Sequence, residues 1–277
     1  MPKPKLIVIA GPTATGKSDY AVQLAEKVNG EVISADSRQI YRGMDLGTGK
    51  ITNEEMRGIP HHLLDIKNPE EDFSVAEYKQ LTDAAIADVI ARGKTPILCG
   101  GTGFFIQAVI DDITLPHVPP NPELRAELET HSNEELLIQV KKLDPDRAET
   151  IDPDNKRRLI RAIEIASALG HVPKQEVTES PYNLEIIYLD KPDDELRELI
   201  EKRLVKRLEQ GMVEEVKNLH KNGISWQRLE NFGLEYRHIA EFLQDKISYE
   251  EMMESIKTKT WQYAKRQRTW FKKYLIR

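Results

Sequence analysis

The stretch Lys5-Leu6-Ile7-Val8-Ile9-Ala10-Gly11-Pro12-Thr13-Ala14-Thr15-Gly16-Lys17-Ser18 decides the fold. Its first part is a short apolar, β-branched run, which is typical of a buried parallel strand. Its second part fits the pattern G-x-x-x-x-G-K-[ST], and residues 17–28 then have the apolar spacing of a helix. A strand, a glycine loop and a helix in this order predict a phosphate-binding loop, in which backbone N–H groups and the positive end of the helix dipole face the anion.

The side chains of this loop indicate phosphate chemistry but leave the reaction open. Lys17 supplies a positive charge, and the Ser18 hydroxyl is placed to bind Mg²⁺. The pattern is typical of enzymes that use ATP or GTP. However, the strand predicted over 95–99 ends in Gly100 and not in the aspartate that holds Mg²⁺ in such enzymes. The loop alone therefore predicts a phosphate or pyrophosphate ligand and no particular reaction.

The flanking sequence extends the loop into an α/β fold with an insertion. Strands are also predicted over 31–34 and 95–99 with helices between them, which is the spacing of a parallel sheet. Four prolines within 116–122 interrupt this pattern, helical segments follow, and strand character returns at 183–189. We predict a P-loop NTPase-like parallel sheet flanked by helices, formed by 1–115 and 183–277, with an all-helical insertion domain at 116–182.

Composition predicts the compartment. The chain has 277 residues, of which 39% are hydrophobic and 31% charged, as in soluble globular proteins. Apolar runs are too short for a membrane span, and the N-terminal one is too short for a secretory signal. The single cysteine, Cys99, excludes an internal disulfide and a cysteine-based zinc site. We therefore expect a cytoplasmic protein that does not bind membranes.

The net charge of −6 argues at first against a nucleic-acid partner, but the charge is unevenly distributed. Residues 257–277 carry eight Lys and Arg and no acidic residue, which leaves −14 on residues 1–256. Trp261, Tyr263, Trp270, Phe271 and Tyr274 alternate with these cations. Cations with aromatic rings suit RNA, where rings stack on bases and cations hold phosphates. The same pattern is also expected of a helix that packs its aromatic residues on the protein and exposes its charges.

Two further segments are predicted at the edge of the sheet that carries the phosphate loop. Asp36 follows the strand at 31–34, so it is a candidate general base or metal ligand, although a helix cap is the simpler alternative. Gly100-Gly101-Thr102-Gly103 follows the next strand and is either a second anion loop, with Thr102 donating a hydrogen bond, or a tight turn. The glycines of Asp45-Leu46-Gly47-Thr48-Gly49-Lys50 allow close backbone approach and indicate no more.

Polar clusters elsewhere in the sequence indicate a function less specifically than the glycine loops do. Arg157, Arg158 and Arg161 lie at helical spacing in the insertion, which suits either phosphate contacts or a solvated face that pairs with nearby acids. The adjacent His61 and His62 lack the spacing of a helical zinc site, so we expect a structural or substrate-loop role.

Taken together, these segments resemble the bacterial tRNA dimethylallyltransferases, also called tRNA isopentenyltransferases or IPP transferases. The matching stretches span nearly the whole chain in the order of the family, and the most specific are Asp36-Ser37-Arg38-Gln39-Ile40-Tyr41 and Ala264-Lys265-Arg266-Gln267-Arg268-Thr269-Trp270-Phe271. The others are 11–18, 42–50, 60–65, 73–75, 100–103, 157–164 and the residue Tyr263.

The resemblance implies transfer of a dimethylallyl group from dimethylallyl diphosphate to N6 of the adenosine immediately 3′ of the tRNA anticodon, with release of diphosphate. It implies that residues 11–18 hold the diphosphate, with Mg²⁺ bound through Ser18. It further implies that Asp36 is the general base, that Thr102 contacts the bridging oxygen and that Lys17 stabilises the leaving group. A flipped-out adenine is expected, because a stacked N6 cannot reach a buried electrophile.

The resemblance also implies a set of tRNA contacts and an insertion domain that covers the anticodon stem-loop. We expect a monomer. The chain departs from the family at Gly233-Leu234-Glu235-Tyr236-Arg237, where Gly-Tyr-Arg or Gly-Tyr-Lys is usual. The residues implied to contact tRNA are Asp36, Ser37, Arg38, Gln39, Arg125, Arg157, Arg158, Leu159, Ile160, Arg161, Gly233, Tyr236 and Arg237.

Other functions fit parts of the same sequence. An adenylate isopentenyltransferase would prenylate free AMP or ATP, but the insertion and the basic C-terminal segment favour tRNA. A P-loop small-molecule kinase or NTPase would use ATP. A non-catalytic RNA-binding protein would bind tRNA without transfer.

Overall fold

The computed structural model describes residues 2–174 and 179–275. The elements are β1 (Lys5–Ala10), α1 (Lys17–Val28), β2 (Gly30–Ala35), β3 (His61–His62), α2 (Val75–Ala91), β4 (Thr95–Gly100), α3 (Gly103–Ile110), α4 (Pro122–Glu129), α5 (Asn133–Leu143), α6 (Pro145–Thr150), α7 (Lys156–Leu169), β5 (Asn183–Tyr188), α8 (Asp193–Glu209), α9 (Met212–Lys221), α10 (Trp226–Phe232), α11 (Leu234–Leu243) and α12 (Tyr249–Tyr274).

The five strands form one parallel sheet in the order β3-β2-β4-β1-β5. β1, β2 and β4 are almost wholly buried, which explains their continuous apolar sequences. The register pairs Ala10 with Gly100 and Gly100 with Ala35, so these three strands end side by side. The loops that follow them therefore meet at one edge of the sheet, and the predicted α/β fold is confirmed.

The chain forms two compact units, Met1–Asp112 with Thr178–Arg277, and Ile113–Val177. The sequence prediction placed the second unit at 116–182. Within its described residues this unit consists of α4, α5, α6 and α7 around a small apolar core that includes Leu136, Val140 and Leu159. Helix α6 was not predicted, since it has only six residues between two caps, Asp144 and Ile151.

Helix α12 is the longest described helix, with 26 residues, and it begins at a capping box formed by Ser248 and Glu251. Its apolar stripe packs against other elements of the same unit through residues that include Ile256, Trp261, Ala264 and Phe271. Among the described residues, no helix combines the length and apolarity that crossing a membrane requires. α12 thus runs beside the loops at the sheet edge with one face buried and the other exposed.

Candidate active site

The predicted phosphate loop joins β1 to α1. Gly11 and Gly16 have φ values of 154° and 83°, and a Cβ at residue 11 would lie 2.0 Å from the main-chain oxygen of Leu189. Both positions therefore require glycine. The Thr15 hydroxyl and the Lys17 ammonium donate hydrogen bonds to the Pro12 oxygen at 2.9 and 2.6 Å, so the loop is closed on itself.

The loop after β4 brings Thr102 next to the segment after β2. The Thr102 N–H donates to the Ala35 oxygen at 3.0 Å, and the Ser37 N–H donates to the Thr102 hydroxyl at 3.1 Å. A Cβ at Gly100 would lie 2.2 Å from that same Ala35 oxygen, so glycine is needed for the two strand ends to approach. Thr102 and Asp36 are thereby fixed side by side, as expected from the strand ends.

The charges of this site influence one another. Burial lowers the pKa of Lys17 to about 8, against the opposing influence of Asp36 and the Cys99 thiol. Burial raises the pKa of Asp36, which the Arg38 N–H and the Lys17 charge partly offset. The Arg38 N–H bonds to the Asp36 carboxylate at 2.9 Å. A carboxyl with a raised pKa beside a cation with a lowered pKa is typical of a catalytic site.

Arg203, on α8, is a cation that sequence reasoning did not single out. Its charge contributes to the lowered pKa of Lys17. It also lies against the 45–50 loop, since a Cβ at Gly49 would be 2.9 Å from its guanidinium. No pattern in the sequence around Arg203 separates it from the other charged residues of α8, so only the tertiary structure identifies it.

The glycine-containing loop at 45–50 is held by side chains from distant helices. The Glu215 carboxylate accepts hydrogen bonds from the N–H groups of Asp45, Leu46 and Gly47 at 2.7–3.0 Å, and from the Tyr236 hydroxyl at 2.7 Å. The predicted close approach occurs at Gly47, where a Cβ would lie 2.5 Å from the Tyr236 ring.

The same loop orients Gln39. The Gln39 amide lies 3.4 Å from the main-chain oxygens of Thr48 and Gly49, to which it donates. Arg207 holds the loop from the other side by donating to the Leu46 and Gly47 oxygens at 3.0 and 3.1 Å. The segment therefore positions Gln39, for which the family resemblance implies a contact with tRNA.

Helix α12 uses its aromatic residues in two ways. Trp261 and Phe271 are buried, whereas Trp270 is half-buried and contacts Phe104 and Tyr274 with ring centroids 6.2 and 4.5 Å apart. The outer face around Trp270 forms a shallow groove. Its lining residues are Gln262, Lys265, Arg266, Thr269, Trp270, Lys273 and Tyr274. The packing interpretation is therefore confirmed for Trp261 and Phe271, whereas RNA binding at the outer face stays a prediction.

The arginines of the insertion differ in their surroundings. Arg157 and Arg158 are exposed on α7. Arg125 and Arg161 instead bind the buried Glu164 carboxylate, at 2.8 and 3.2 Å. The tRNA contacts predicted for these four residues stay predictions, and the geometry separates a solvent-facing pair from a pair held by an internal acid.

Three other residues predicted to contact tRNA have buried side chains. Leu159 and Ile160 belong to the core of the insertion, and Tyr236 is 2% exposed with its hydroxyl on Glu215. Gly233 has a φ of 75°, and Arg237 is exposed and donates to the Glu230 oxygen. Leu159, Ile160 and Tyr236 are almost fully buried as whole residues, main chain included, so nothing in the structure supports their predicted tRNA contacts, which stay predictions.

The two adjacent histidines form β3 beside β2. His62 lies 2.7 Å from the Glu31 carboxylate, which also binds Arg92 and Lys94 near the amino ends of β2 and β4. This network lies at the opposite end of the strands from Asp36. Among the described residues, no group of three or more histidine, cysteine or acidic side chains is arranged to hold a metal ion.

A Mg²⁺ site at the phosphate loop is compatible with the donor set. Ser18 is exposed in the first turn of α1, and its hydroxyl makes no hydrogen bond to the residues that the structure describes. Mg²⁺ takes few protein ligands and completes its shell with water and phosphate oxygens. One free hydroxyl beside an anion loop therefore fits this ion when diphosphate supplies the other ligands.

The site defines a class of protein: a P-loop α/β fold with an acid and a threonine hydroxyl beside the phosphate loop. The sequence model for IPP transferases matches residues 39–274. The chain belongs to the IPP transferase family.

Individual relatives agree with this assignment. A tRNA dimethylallyltransferase from Anoxybacillus flavithermus is 42% identical over 97% of this chain and 87% of its own length. The crystal structure of the tRNA isopentenylpyrophosphate transferase from Bacillus halodurans has a TM-score of 0.72 at 42% identity and covers 98% of this chain and 87% of its own. A eukaryotic dimethylallyltransferase acting on tRNA has a TM-score of 0.82 at 29% identity, over 97% of this chain and 70% of its own.

Proposed function

We propose that this chain transfers the dimethylallyl group of dimethylallyl diphosphate to N6 of the tRNA adenosine immediately 3′ of the anticodon. One observation carries the proposal: the loops after β1, β4 and β2 place a phosphate loop, the Thr102 hydroxyl and the Asp36 carboxyl along one edge of the sheet. An anion cradle beside a base suits displacement of diphosphate by a nucleophile.

The residues have distinct roles in this reaction. N6 of adenosine attacks C1 of the dimethylallyl group, the C1–O bond breaks, and its electron pair leaves with the diphosphate. The Asp36 carboxylate accepts the N6 proton. Lys17, the loop amides and Arg203 stabilise the charge of the departing diphosphate, and Thr102 donates to its bridging oxygen. Mg²⁺ held by Ser18 and diphosphate oxygens would supply further positive charge.

The RNA is proposed to bind the outer face of α12, in addition to the tRNA contacts that the resemblance implies. Lys265 and Arg266 supply charges for phosphates, and the half-buried Trp270 supplies a ring for stacking. We further propose that the chain acts as a monomer and in the cytoplasm, where tRNA is found.

The test is a transfer assay with substrate competition. The chain is incubated with dimethylallyl diphosphate and Mg²⁺ and with either an anticodon stem-loop, AMP or ATP, and nucleosides are analysed by mass spectrometry. We expect product from the stem-loop alone. Product from AMP or ATP alone would indicate an adenylate isopentenyltransferase, and ATP turnover with unmodified RNA would indicate a kinase or NTPase.

A variant separates catalysis from binding. Asp36→Ala is expected to lower transfer by at least about 100-fold while RNA binding persists. Asp88→Asn is a matched control, because Asp88 pairs with Arg92 at the carboxyl end of α2 and touches no loop of the site. If the parent chain binds RNA and transfers nothing, it is an RNA-binding protein and the proposal is wrong.

A further inference from the structure

The side chain of Gln267 joins the two glycine loops of the site. Its Oε1 accepts a hydrogen bond from the Thr13 N–H of the phosphate loop at 2.8 Å. Its Nε2 donates to the Gly101 oxygen of the loop after β4, also at 2.8 Å. Gln267 is 5% exposed, so both hydrogen bonds are shielded from water.

Neither loop holds this arrangement through regular structure. Thr13 and Gly101 lie outside strands and helices, and their loops leave neighbouring strands. Ala14, next to Thr13, has a φ of 65°, a conformation that a non-glycine residue keeps only when its surroundings fix it. The Gln267 amide is one such constraint, since it holds the Pro12–Thr13 peptide, which is one residue away from Ala14.

The side chain of Gln267 is tightly packed against Gly101. A Cβ at Gly101 would lie 2.4 Å from the Gln267 amide nitrogen, so the amide occupies the space that this glycine leaves. Gln267 is also a polar residue on the buried stripe that includes Ala264 and Phe271. A polar side chain on an apolar stripe is the signal by which the sequence could have indicated it.

We propose that Gln267 is a positioning residue that sets the separation between the phosphate loop and Thr102, so that one diphosphate meets the loop amides and the Thr102 hydroxyl together. Gly101 directly precedes Thr102, so a shift of Gly101 moves that hydroxyl. The role rests on the proposed function, because Thr102 is assigned there to the bridging oxygen of diphosphate. Displacement of a reacting group by about 1 Å can cost about 100-fold in rate.

The main variant is Gln267→Met, which keeps the length of the side chain and removes both hydrogen bonds. We expect the dissociation constant of inorganic diphosphate, measured by calorimetric titration, to rise at least about ten-fold. We expect kcat to fall at least about ten-fold, while KM for tRNA changes less than about two-fold. Gln244→Met is the matched control, because Gln244 also makes two hydrogen bonds, to Glu230 and Ala240, in the C-terminal helices.

A second variant gives a measurement that would not change with pH if Gln267 only stabilised the fold. In Gln267→Glu, the protonated carboxyl can accept from Thr13 and donate to Gly101, whereas the ionised carboxylate can only accept. Its diphosphate affinity relative to the parent should therefore recover as the pH falls. If Gln267→Met does not fold, Gln267→Glu still tests whether Gln267 positions the two loops for diphosphate.

The proposal is overturned if Gln267→Met binds diphosphate within about two-fold of the parent. It is also overturned if the losses of diphosphate affinity and kcat in Gln267→Met equal those in Gln244→Met and scale with the loss of thermal stability. It is equally overturned if Gln267→Glu shows no relative recovery at low pH. If the parent chain fails to transfer dimethylallyl to tRNA, the proposed function is wrong, whereas the diphosphate titrations still measure what Gln267 does to the loop.

Discussion

The protonation of Lys17 should make diphosphate binding depend on pH in a predictable direction. The pKa of Lys17 is about 8 before a ligand binds, because burial disfavours the ammonium. A bound diphosphate supplies the missing counter-charge and raises this pKa, so binding takes up a proton and must weaken as the pH rises. The protonated fraction falls from about 90% at pH 7 to about 9% at pH 9, which predicts about ten-fold weaker binding.

Calorimetric titration of inorganic diphosphate measures both the affinity and the protons taken up, when it is repeated in buffers of different ionisation enthalpy. We expect uptake of about half a proton per diphosphate at pH 8 from Lys17. Lys17→Arg is the control, because a guanidinium stays charged over this range. The ionisation of diphosphate itself affects both proteins equally, so the difference between them isolates Lys17. Equal pH dependence in the two proteins would refute the reasoning.

Three further predictions concern stability and are measured by chemical denaturation. Glu215→Ala leaves the N–H groups of 45–47 without an acceptor and should lower the free energy of unfolding by about 3 kcal/mol, whereas the exposed Glu214→Ala should change it by less than about 0.5 kcal/mol. Gly100→Ala places a methyl group 2.2 Å from a main-chain oxygen and should cost about 3 kcal/mol or prevent folding; an unchanged midpoint would contradict this geometry. Burial acts to raise the pKa of Glu164, but its arginine and main-chain partners outweigh burial and lower the pKa. The stabilisation by ionised Glu164 is therefore present above its ordinary pKa and is lost as the pH falls. Glu164→Gln should flatten the dependence of the free energy of unfolding on acid pH, and parallel pH curves for the two proteins would contradict this.

The sequence could predict those parts of the site that local patterns encode. The strand, glycine loop and helix at 5–28 are contiguous, so their spacing alone indicates the phosphate loop. Asp36 and Thr102 were placed near that loop because parallel strands present their carboxyl ends at the same edge. This inference required only the strand assignments and no knowledge of the strand order.

The residues that support the site could not be predicted in this way. Gln267 bonds to a residue 254 positions earlier in the chain, and Glu215 bonds to a loop 168–170 positions earlier. Such pairings depend on how helices pack against loops, which a local pattern does not encode. The sequence of α12 also left open whether its aromatic residues bind RNA or pack the core, because the choice for Trp261 and Trp270 depends on which side of the helix faces the sheet.

The net charge of the whole chain was a poor guide to an RNA partner, because the basic residues of α12 differ in what they contact. Among the described basic residues of α12, Lys257 is paired with Glu201, and Arg268 binds Asp190 and Asp193. These cations hold the helix to the protein and add little to an external field. Lys265 and Arg266 remain exposed in the groove beside Trp270. At physiological salt the field of a charge is screened over about 8 Å, so an RNA phosphate at this groove responds to the nearby cations more than to the net acidity of the rest of the chain.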